Sequence, residues 1–151
     1  MRTPPETANS PAGILTVLSV SPMEEDHRCL QEIIGNSNWI LLEADSVSPA
    51  LTFLQHYEIS VILCERDLMS GTWVDILKNI KYLPHTPSLI VTSRLADERL
   101  WAEAMNLGAW EVLAKPFDRN ELLRTVKLAW LHWHHQIQMP AMSLKVMTAA
   151  S

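Results

Sequence analysis

The sequence predicts an α/β fold, a five-stranded parallel sheet that is doubly wound, with helices on both faces in a three-layer α/β/α arrangement. Five apolar runs alternate with five segments of helical spacing between residues 14 and 135. The runs are apolar along their whole length, which is typical of parallel strands covered on both faces. The chain has 151 residues, of which 48% are hydrophobic and 19% charged. These values indicate a single globular domain with a sizeable core.

The five strands are predicted where Val, Ile and Leu form runs bounded by polar or turn residues. They cover residues 14–20, 39–44, 59–64, 87–93 and 110–114. The third run ends at Glu65, so an acid lies at the tip of an otherwise apolar strand. A charge at that position is costly unless another group compensates it.

The helices follow the strands in turn. They are predicted over residues 21–35, 48–57, 73–83, 96–108 and 118–135. Gly35 and Gly108 stand where the first and fourth helices stop, and Thr72 stands where the third begins. Residues 1–12 contain three prolines and are predicted to be a flexible leader, while residues 137–151 are predicted to be a flexible C-terminal tail. The domain is therefore expected to cover residues 13–136.

Composition argues against several classes of protein. A net charge of −5 without any cluster of Lys and Arg disfavours nucleic-acid binding. The apolar runs are too short to cross a bilayer, so no membrane association is expected. Cys29 and Cys64 are far apart and lack metal-type spacing, which fits a reduced, cytoplasmic protein. No arrangement of Ser, His and Asp or of Cys and His falls at the strand ends, so the sequence gives no support for an enzyme.

Parallel sheets place their functional site at the carboxyl ends of the strands. The residues at those ends are Ser21-Pro22, Glu65, Thr92-Ser93 and Lys115-Pro116. Together they resemble the receiver domain of two-component response regulators, over roughly residues 14 to 135. The most specific stretch is GAWEVLAKPFDRNEL, residues 108–122, which is similar to the Gly-Ala and Lys-Pro-Phe signature of that CheY-like family.

The resemblance assigns roles to these positions. Glu65 stands at the phosphoacceptor position, where the family has Asp. Thr92 and Lys115 match the residues that contact the phosphoryl group. Ser21 and Pro22 occupy the position of the acidic pair that holds Mg²⁺ in the family. A backbone contact to the metal is implied for Asp67, two residues beyond the acceptor position.

The missing acidic pair predicts a degenerate, or pseudo-, receiver without a cofactor or bound metal. Ser21 is instead expected to cap the first helix, with Pro22 at its first position and Glu24 three residues after the cap. Mg²⁺ held by Glu24, Glu25 or Asp26 is a disfavoured alternative, because the first helical turn is expected to point these acids toward solvent. Asp67 as the acceptor is likewise disfavoured, because it would bury the pair Glu65-Arg66 in the last turn of a strand.

Glu65 is one methylene longer than Asp and is predicted to reach toward Lys115 and Thr92. The hypothesis is that a Glu65–Lys115 pair holds the domain rigid or constitutively active. The alternative is an inherited ion pair that neutralises a buried lysine and signals nothing. In the family an aromatic residue of the fifth strand takes part in switching, but the equivalent residue here is Val112. Trp110 is expected on the same strand face as Val112.

Partner binding is expected on the face formed by the fourth helix, fifth strand and fifth helix. Trp101, Trp130 and Trp133 favour this surface, although Trp133 also fits a core stripe on the fifth helix. His132 and His135 lie three residues apart without a third metal ligand, which favours a solvated helix end.

The predicted function is therefore a phosphorelay receiver domain that acts by protein–protein interaction. Its predicted partners are a histidine kinase, a downstream effector or a second copy. A phosphorylatable receiver using Glu65 or Asp67 is the first alternative. A flavodoxin-like small-molecule-binding protein is an alternative of a different class.

Overall fold

The computed structural model of the protein describes residues 13–138. Its strands are Thr16–Val20 (β1), Ile40–Ala44 (β2), Val61–Glu65 (β3), Asp67–Leu68 (β4), Gly71–Thr72 (β5), Ser88–Ser93 (β6) and Glu111–Ala114 (β7). Its helices are Glu24–Ile34 (α1), Val47–His56 (α2), Trp73–Ile80 (α3), Glu98–Leu107 (α4) and Arg119–Gln138 (α5). The predicted leader, residues 1–12, lies outside the described residues, as do residues 139–151 of the predicted tail. Helix α5 continues two residues past the predicted domain end.

The five long strands form one parallel sheet in the order β2-β1-β3-β6-β7, which confirms the predicted fold class. β1 lies between β2 and β3. The chain therefore adds β2 on one side of β1 and all later strands on the other. This reversal opens a crevice at the carboxyl ends of β1 and β3, where doubly wound sheets carry their sites.

Helices cover both faces of the sheet, as expected. α1 and α5 pack on one face, and α2, α3 and α4 pack on the other. Side chains alternate between these two layers along each strand. In β3, Val61 and Leu63 face α1 and α5, whereas Ile62 and Cys64 face the opposite layer. The same alternation directs Glu65 toward the α1 and α5 side.

A short antiparallel hairpin formed by β4 and β5 follows β3 and was not predicted. Gly71 has a φ of 131° in this hairpin, a conformation that side chains with a Cβ rarely adopt. Thr72 then caps α3, as predicted. Its hydroxyl accepts a hydrogen bond from the Val74 amide, and the Asp75 carboxylate accepts one from the Thr72 amide. This capping box fixes the direction in which the chain leaves the tip of β3.

The glycines predicted as helix stops behave differently. Gly108 follows α4 with a φ of 105°, in the left-handed conformation that commonly ends a helix. Gly35 follows α1 in a right-handed conformation, so left-handed geometry does not explain the end of that helix. Within residues 13–138, no helix combines the length and apolar character that crossing a bilayer requires.

Candidate functional site

Strand alternation brings the predicted site residues together. Leu113 in β7 faces α1 and α5, so Lys115 two residues later points the same way. Glu65 is paired in register with Thr92, and adjacent residues of paired strands share a face. Glu65, Thr92 and Lys115 are all buried at the carboxyl edge of the sheet. The Lys115–Pro116 peptide bond is cis.

The ammonium of Lys115 lies between two carboxylates. It forms an ion pair with Glu65 Oε1 and donates a hydrogen bond of 2.7 Å to Asp26 Oδ2. The side chains of Lys115, Glu65 and Asp26 are only 3%, 9% and 10% exposed. Glu65 Oε2 also accepts a 2.9 Å hydrogen bond from the Arg66 amide. The predicted contact between Glu65 and Lys115 is therefore present, and a second acid joins it.

Burial sets the strength of this cluster. Two unit charges about 4 Å apart attract by roughly 4 kcal/mol at an effective dielectric constant near 20, and this gain is offset by the cost of removing both charges from water. Net stabilisation is therefore modest while the cluster is complete. Removing one member is costly, because the remaining charges stay buried without compensation.

The position of Asp26 differs from the prediction. Glu24 and Glu25 are exposed, as expected, but Asp26 is buried. Asp26, Leu30 and Ile33 are spaced by four and three residues, so they share the helix face that packs on the sheet. The expectation that all three acids point to solvent is wrong for Asp26, because each step along a helix rotates the side chain by about 100°. The i, i+4, i+7 spacing of Asp26, Leu30 and Ile33 is the signal in the sequence that could have identified this residue.

Ser21 does not cap α1, contrary to the prediction. The N-cap residue is Met23, and its side chain forms no capping bond. The Ser21 hydroxyl accepts a 3.1 Å hydrogen bond from the Met23 amide and donates a 2.7 Å bond to Asp26 Oδ2. Pro22 precedes the helix rather than opening it, and Glu24 is its first residue. The hydroxyl orients Asp26 toward Lys115, which explains why local capping chemistry is overridden.

His27 holds the turn that carries Ser21, a role that the sequence analysis did not predict. The ring is buried, with Nε2 at 2.9 Å from the Ser21 carbonyl oxygen and Nδ1 at 2.9 Å from the Ser19 hydroxyl. A carbonyl oxygen can only accept, so Nε2 carries a proton. Ser19, His27, Ser21, Asp26 and Lys115 therefore form one continuous hydrogen-bonded chain, which ends at Glu65.

Two other predicted site residues stand apart from the ion cluster. The main-chain oxygen of Thr92 accepts a 2.9 Å hydrogen bond from the Arg66 amide. Within residues 13–138, the Thr92 hydroxyl makes no hydrogen bond to Glu65 or Lys115. Asp67 lies in the hairpin with its side chain 66% exposed and paired to the Arg66 guanidinium at 3.0 Å. Its carboxylate does not pair with Lys115, which disfavours the alternative acceptor.

The aromatic residues divide between core and surface. Trp133 is 1% exposed and belongs to a buried stripe of α5, so the core alternative holds for it. Trp101 is 51% exposed and donates a 3.2 Å hydrogen bond from Nε1 to Glu111. Trp130 is half-buried and stacks on His134 with ring centroids 4.9 Å apart. Of the three tryptophans predicted for the partner face, Trp101 is therefore the most exposed.

Trp110 and Val112 do not share a face, contrary to the prediction. Trp110 packs with the α1 and α5 layer, and Val112 packs with the opposite layer. Because β7 begins at Glu111, strand alternation does not extend back to Trp110. The Trp110 ring instead stacks on His132, with centroids 4.7 Å apart. His135 is exposed at the end of α5.

A doubly wound five-stranded sheet with an acid at the end of β3 and a lysine directly after β7 agrees with the resemblance to receiver domains. The family model described as the response regulator receiver domain matches residues 22–127. The chain belongs to this family, whose members act in two-component signal transduction. The match gives no support to the alternative of a flavodoxin-like small-molecule-binding protein.

Curated relatives include longer regulatory proteins. The chain is 30% identical over 106 residues to the transcriptional regulatory protein ZraR of Escherichia coli K12, covering 70% of this chain and 24% of ZraR. It is 27% identical over 124 residues to the transcriptional regulatory protein CpxR of Klebsiella pneumoniae, covering 81% of this chain and 53% of CpxR. The chain therefore spans about a quarter to a half of these relatives.

Solved structures match over nearly their whole length. The signal receiver domain of an HD domain-containing protein from Pseudomonas fluorescens Pf-5 has a TM-score of 0.74 at 25% identity, covering 81% of this chain and 98% of that one. The beryllofluoride-activated NtrC4 receiver domain dimer has a TM-score of 0.72 at 24% identity, covering 78% and 98%. These likenesses agree with the fold described above.

The residues of this chain do not fit the Mg²⁺ that the family implies. Ser21 and Pro22 stand where two acids are needed, and neither supplies a carboxylate. The two buried carboxylates, Asp26 and Glu65, both contact the Lys115 ammonium. Among residues 13–138, no group of three or more His, Cys, Asp or Glu side chains is placed to hold a metal ion. A tethered ammonium therefore provides the positive charge at this site.

Proposed function

We propose that this receiver domain is degenerate and acts by binding a protein partner without being phosphorylated. The observation that carries this proposal is the burial of the Lys115 ammonium between Glu65 and Asp26. Phosphoryl transfer needs cations that are available to the phosphoryl oxygens. Here the Lys115 ammonium already pairs with the carboxylates of Asp26 and Glu65. Ser21 and Pro22 stand at the positions where acids would hold a metal.

The paired lysine also supports a single conformation of the strand ends. Glu65 in β3, Asp26 in α1 and Lys115 after β7 are tied together through one ammonium. This link joins three elements that lie far apart in the sequence, so a movement of one requires the ion cluster to break. The domain would then present one constant surface to its partner rather than switching between two.

The partner surface we propose is the face formed by α4, β7 and α5. β7 is an edge strand of the sheet. Trp101 and Leu107 on α4 and Leu128 and Leu131 on α5 are large apolar side chains with 42% to 52% exposure. Exposed aromatic and aliphatic side chains of this kind are typical of interface centres. A histidine kinase, a downstream effector or a second copy in the cytoplasm are the proposed partners, and no enzymatic activity is proposed.

The phosphorylation test uses the chain incubated with Mg²⁺ and acetyl phosphate, followed by intact mass spectrometry. We expect no added phosphoryl group on the wild-type chain. The matched variant carries Ser21→Asp, Pro22→Asp and Glu65→Asp, which restores the acidic set of the family and should gain one phosphoryl group. A wild-type chain that gains a phosphoryl group under these conditions would overturn the proposal.

A second test separates a functional ion pair from an inherited one. Glu65→Gln keeps the size of the side chain and removes its charge. If the pair sets the partner surface, this variant should lose both stability and partner affinity. Unchanged partner affinity together with unchanged stability would show that the pair is inherited and signals nothing.

A further inference from the structure

A groove lies at the amino ends of β6 and β7, at the edge of the sheet opposite to Glu65 and Lys115. Its volume is about 310 Å³. The floor consists of buried apolar side chains, which are Leu77, Ile80, Leu89 and Ala109. The rim carries the exposed residues Lys81, Thr86 and Gln136. Because this volume is at the lower end of the roughly 300–1,000 Å³ of small-molecule pockets, an apolar floor of this size fits a short run of apolar side chains.

Trp110 and His132 form one wall of this groove. Their rings are stacked with centroids 4.7 Å apart, and the indole is half-buried while the imidazole is exposed. Gly108 also lines the groove. Among residues 13–138, no heavy atom beyond its two chain neighbours lies within 4 Å of the place that a Cβ at position 108 would take. The groove is therefore open beside an aromatic wall, and methionine suits such a wall because its thioether contacts aromatic rings favourably and its unbranched chain adapts to irregular space.

The sequence that follows α5 supplies apolar side chains close to the groove. Residues 142–146, which lie outside the described residues, read MSLKV, so Met, Leu and Val alternate with Ser143 and Lys145. Alternation with a period of two puts the apolar residues on one side of an extended backbone. α5 ends at Gln138, two residues after Gln136 of the rim. Met142 is four residues further on, and an extended chain spans about 3.3–3.6 Å per residue, so this side chain can reach the groove.

We propose that this groove binds residues 142–146 of the same chain, with Met142 and Leu144 in the groove and Lys145 in solvent. A segment joined directly to α5 has an effective concentration on the order of millimolar at the groove, so a small apolar contact is enough to hold it there. The inference goes beyond the proposed function and does not depend on whether the domain is phosphorylated. Gly108 follows Leu107 and His132 follows Leu131, so the bound segment would lie beside the partner surface formed by α4, β7 and α5 and would extend its apolar area.

The experiment measures the rate at which hydrogen peroxide oxidises each methionine of the full chain, read by peptide mass spectrometry. Met69 is 81% exposed and serves as the internal reference. We expect Met142 to oxidise at no more than about a fifth of the Met69 rate, because the groove shields its sulfur. Leu144→Asp should raise the Met142 rate to within about twofold of the Met69 rate, because a carboxylate is costly in an apolar groove. Ser143→Asp is the matched control and should leave Met142 protected, because residue 143 is on the opposite side of the extended segment.

A second pair of variants tests the groove itself. Thr86→Glu places a charge on the rim at an exposed position and should release Met142 to the same degree as Leu144→Asp. Thr52→Glu, at an exposed position of α2, is the control and should leave Met142 protected. Equal oxidation of Met142 and Met69 in the wild-type chain, or equal effects of Thr86→Glu and Thr52→Glu, would overturn the proposal. Protection that disappears on strong dilution would also overturn it, because the segment would then come from a second copy.

Discussion

Lys115→Met is the substitution that most directly tests the energetics of the site. Methionine keeps much of the volume and flexibility of the lysine stem and removes its charge. The change leaves the carboxylates of Asp26 and Glu65 facing each other in a buried position without a counter-ion. Their repulsion and their lost hydrogen bonds then act against the folded state.

The expected loss follows from the burial of the three side chains. Removing one partner of a buried ion pair typically costs about 3–5 kcal/mol, because the other partner stays buried without compensation. A domain of ordinary stability has about 5–15 kcal/mol in total, so this loss is a large fraction of it. The melting temperature should fall by roughly 10–20 °C for a domain of this size. Glu65→Gln added to Lys115→Met should recover part of the loss, because it removes one of the two facing charges.

The assay is urea unfolding in the absence of divalent metal, followed by far-UV circular dichroism and tryptophan fluorescence. Trp73 and Trp133 are each 1% exposed, so their emission reports on loss of the core. Lys127→Met is the matched control, since the same substitution at an exposed lysine should change stability by no more than about 0.5 kcal/mol. A loss below about 1 kcal/mol for Lys115→Met, with no recovery on adding Glu65→Gln, would refute the view that the cluster is a coupled buried charge network.

Three further predictions concern the fold around the site. Thr72→Ala should lower the free energy of unfolding in urea by about 1 kcal/mol, because it removes the cap of α3. Ser46→Ala is the control and should lower it less, because the Ser46 side chain makes no capping bond at the start of α2. Equal losses for the two variants would contradict the role of the cap. Trp133→Ala should lower the free energy of unfolding by about 3–5 kcal/mol, because it truncates a buried core side chain. Trp101→Ala, at an exposed position, should lower it by less than about 1 kcal/mol. Similar losses for the two variants would show that Trp133 does not belong to the core. Burial raises the pKa of the Cys64 thiol, and the nearby Glu65 carboxylate raises it further. The thiol therefore stays protonated at pH 8 and should react with Ellman's reagent only as fast as the chain unfolds. Rapid reaction of Cys64 in the native protein would contradict its burial.

The sheet and the strand-end residues were predictable because they depend on local patterns. Five apolar runs, each followed by a segment of helical spacing, leave a parallel sheet as the arrangement that buries both faces. A strand fixes the side to which each of its side chains points, since successive residues alternate. The contact between Glu65 and Lys115 followed from two strand ends at one edge of such a sheet.

The hairpin after β3 was missed for a different reason. Two strands of two residues each carry no periodic signal, and the segment between Glu65 and Thr72 is compatible with several turns. The antiparallel pairing is accompanied by tertiary contacts, since Leu68 packs in the core layer of α2, α3 and α4 and Thr72 caps α3. The start of α3 at Thr72 was predictable nevertheless, since its capping box needs only residues three apart in the sequence.

The sequence by itself determined which residues end the strands. The tertiary structure decided that Asp26 joins Glu65 in pairing with Lys115. Local preference placed Ser21 at the helix cap and Asp26 in solvent. In the folded chain, α1 packs on the same side of the sheet as Lys115, so Asp26 turns inward and Ser21 orients it. A buried ammonium needs a counter-charge more strongly than a helix needs its side-chain cap, which contributes only about 1 kcal/mol. Asp26 and Lys115 are 89 positions apart in the sequence, so no local sequence pattern predicts their contact.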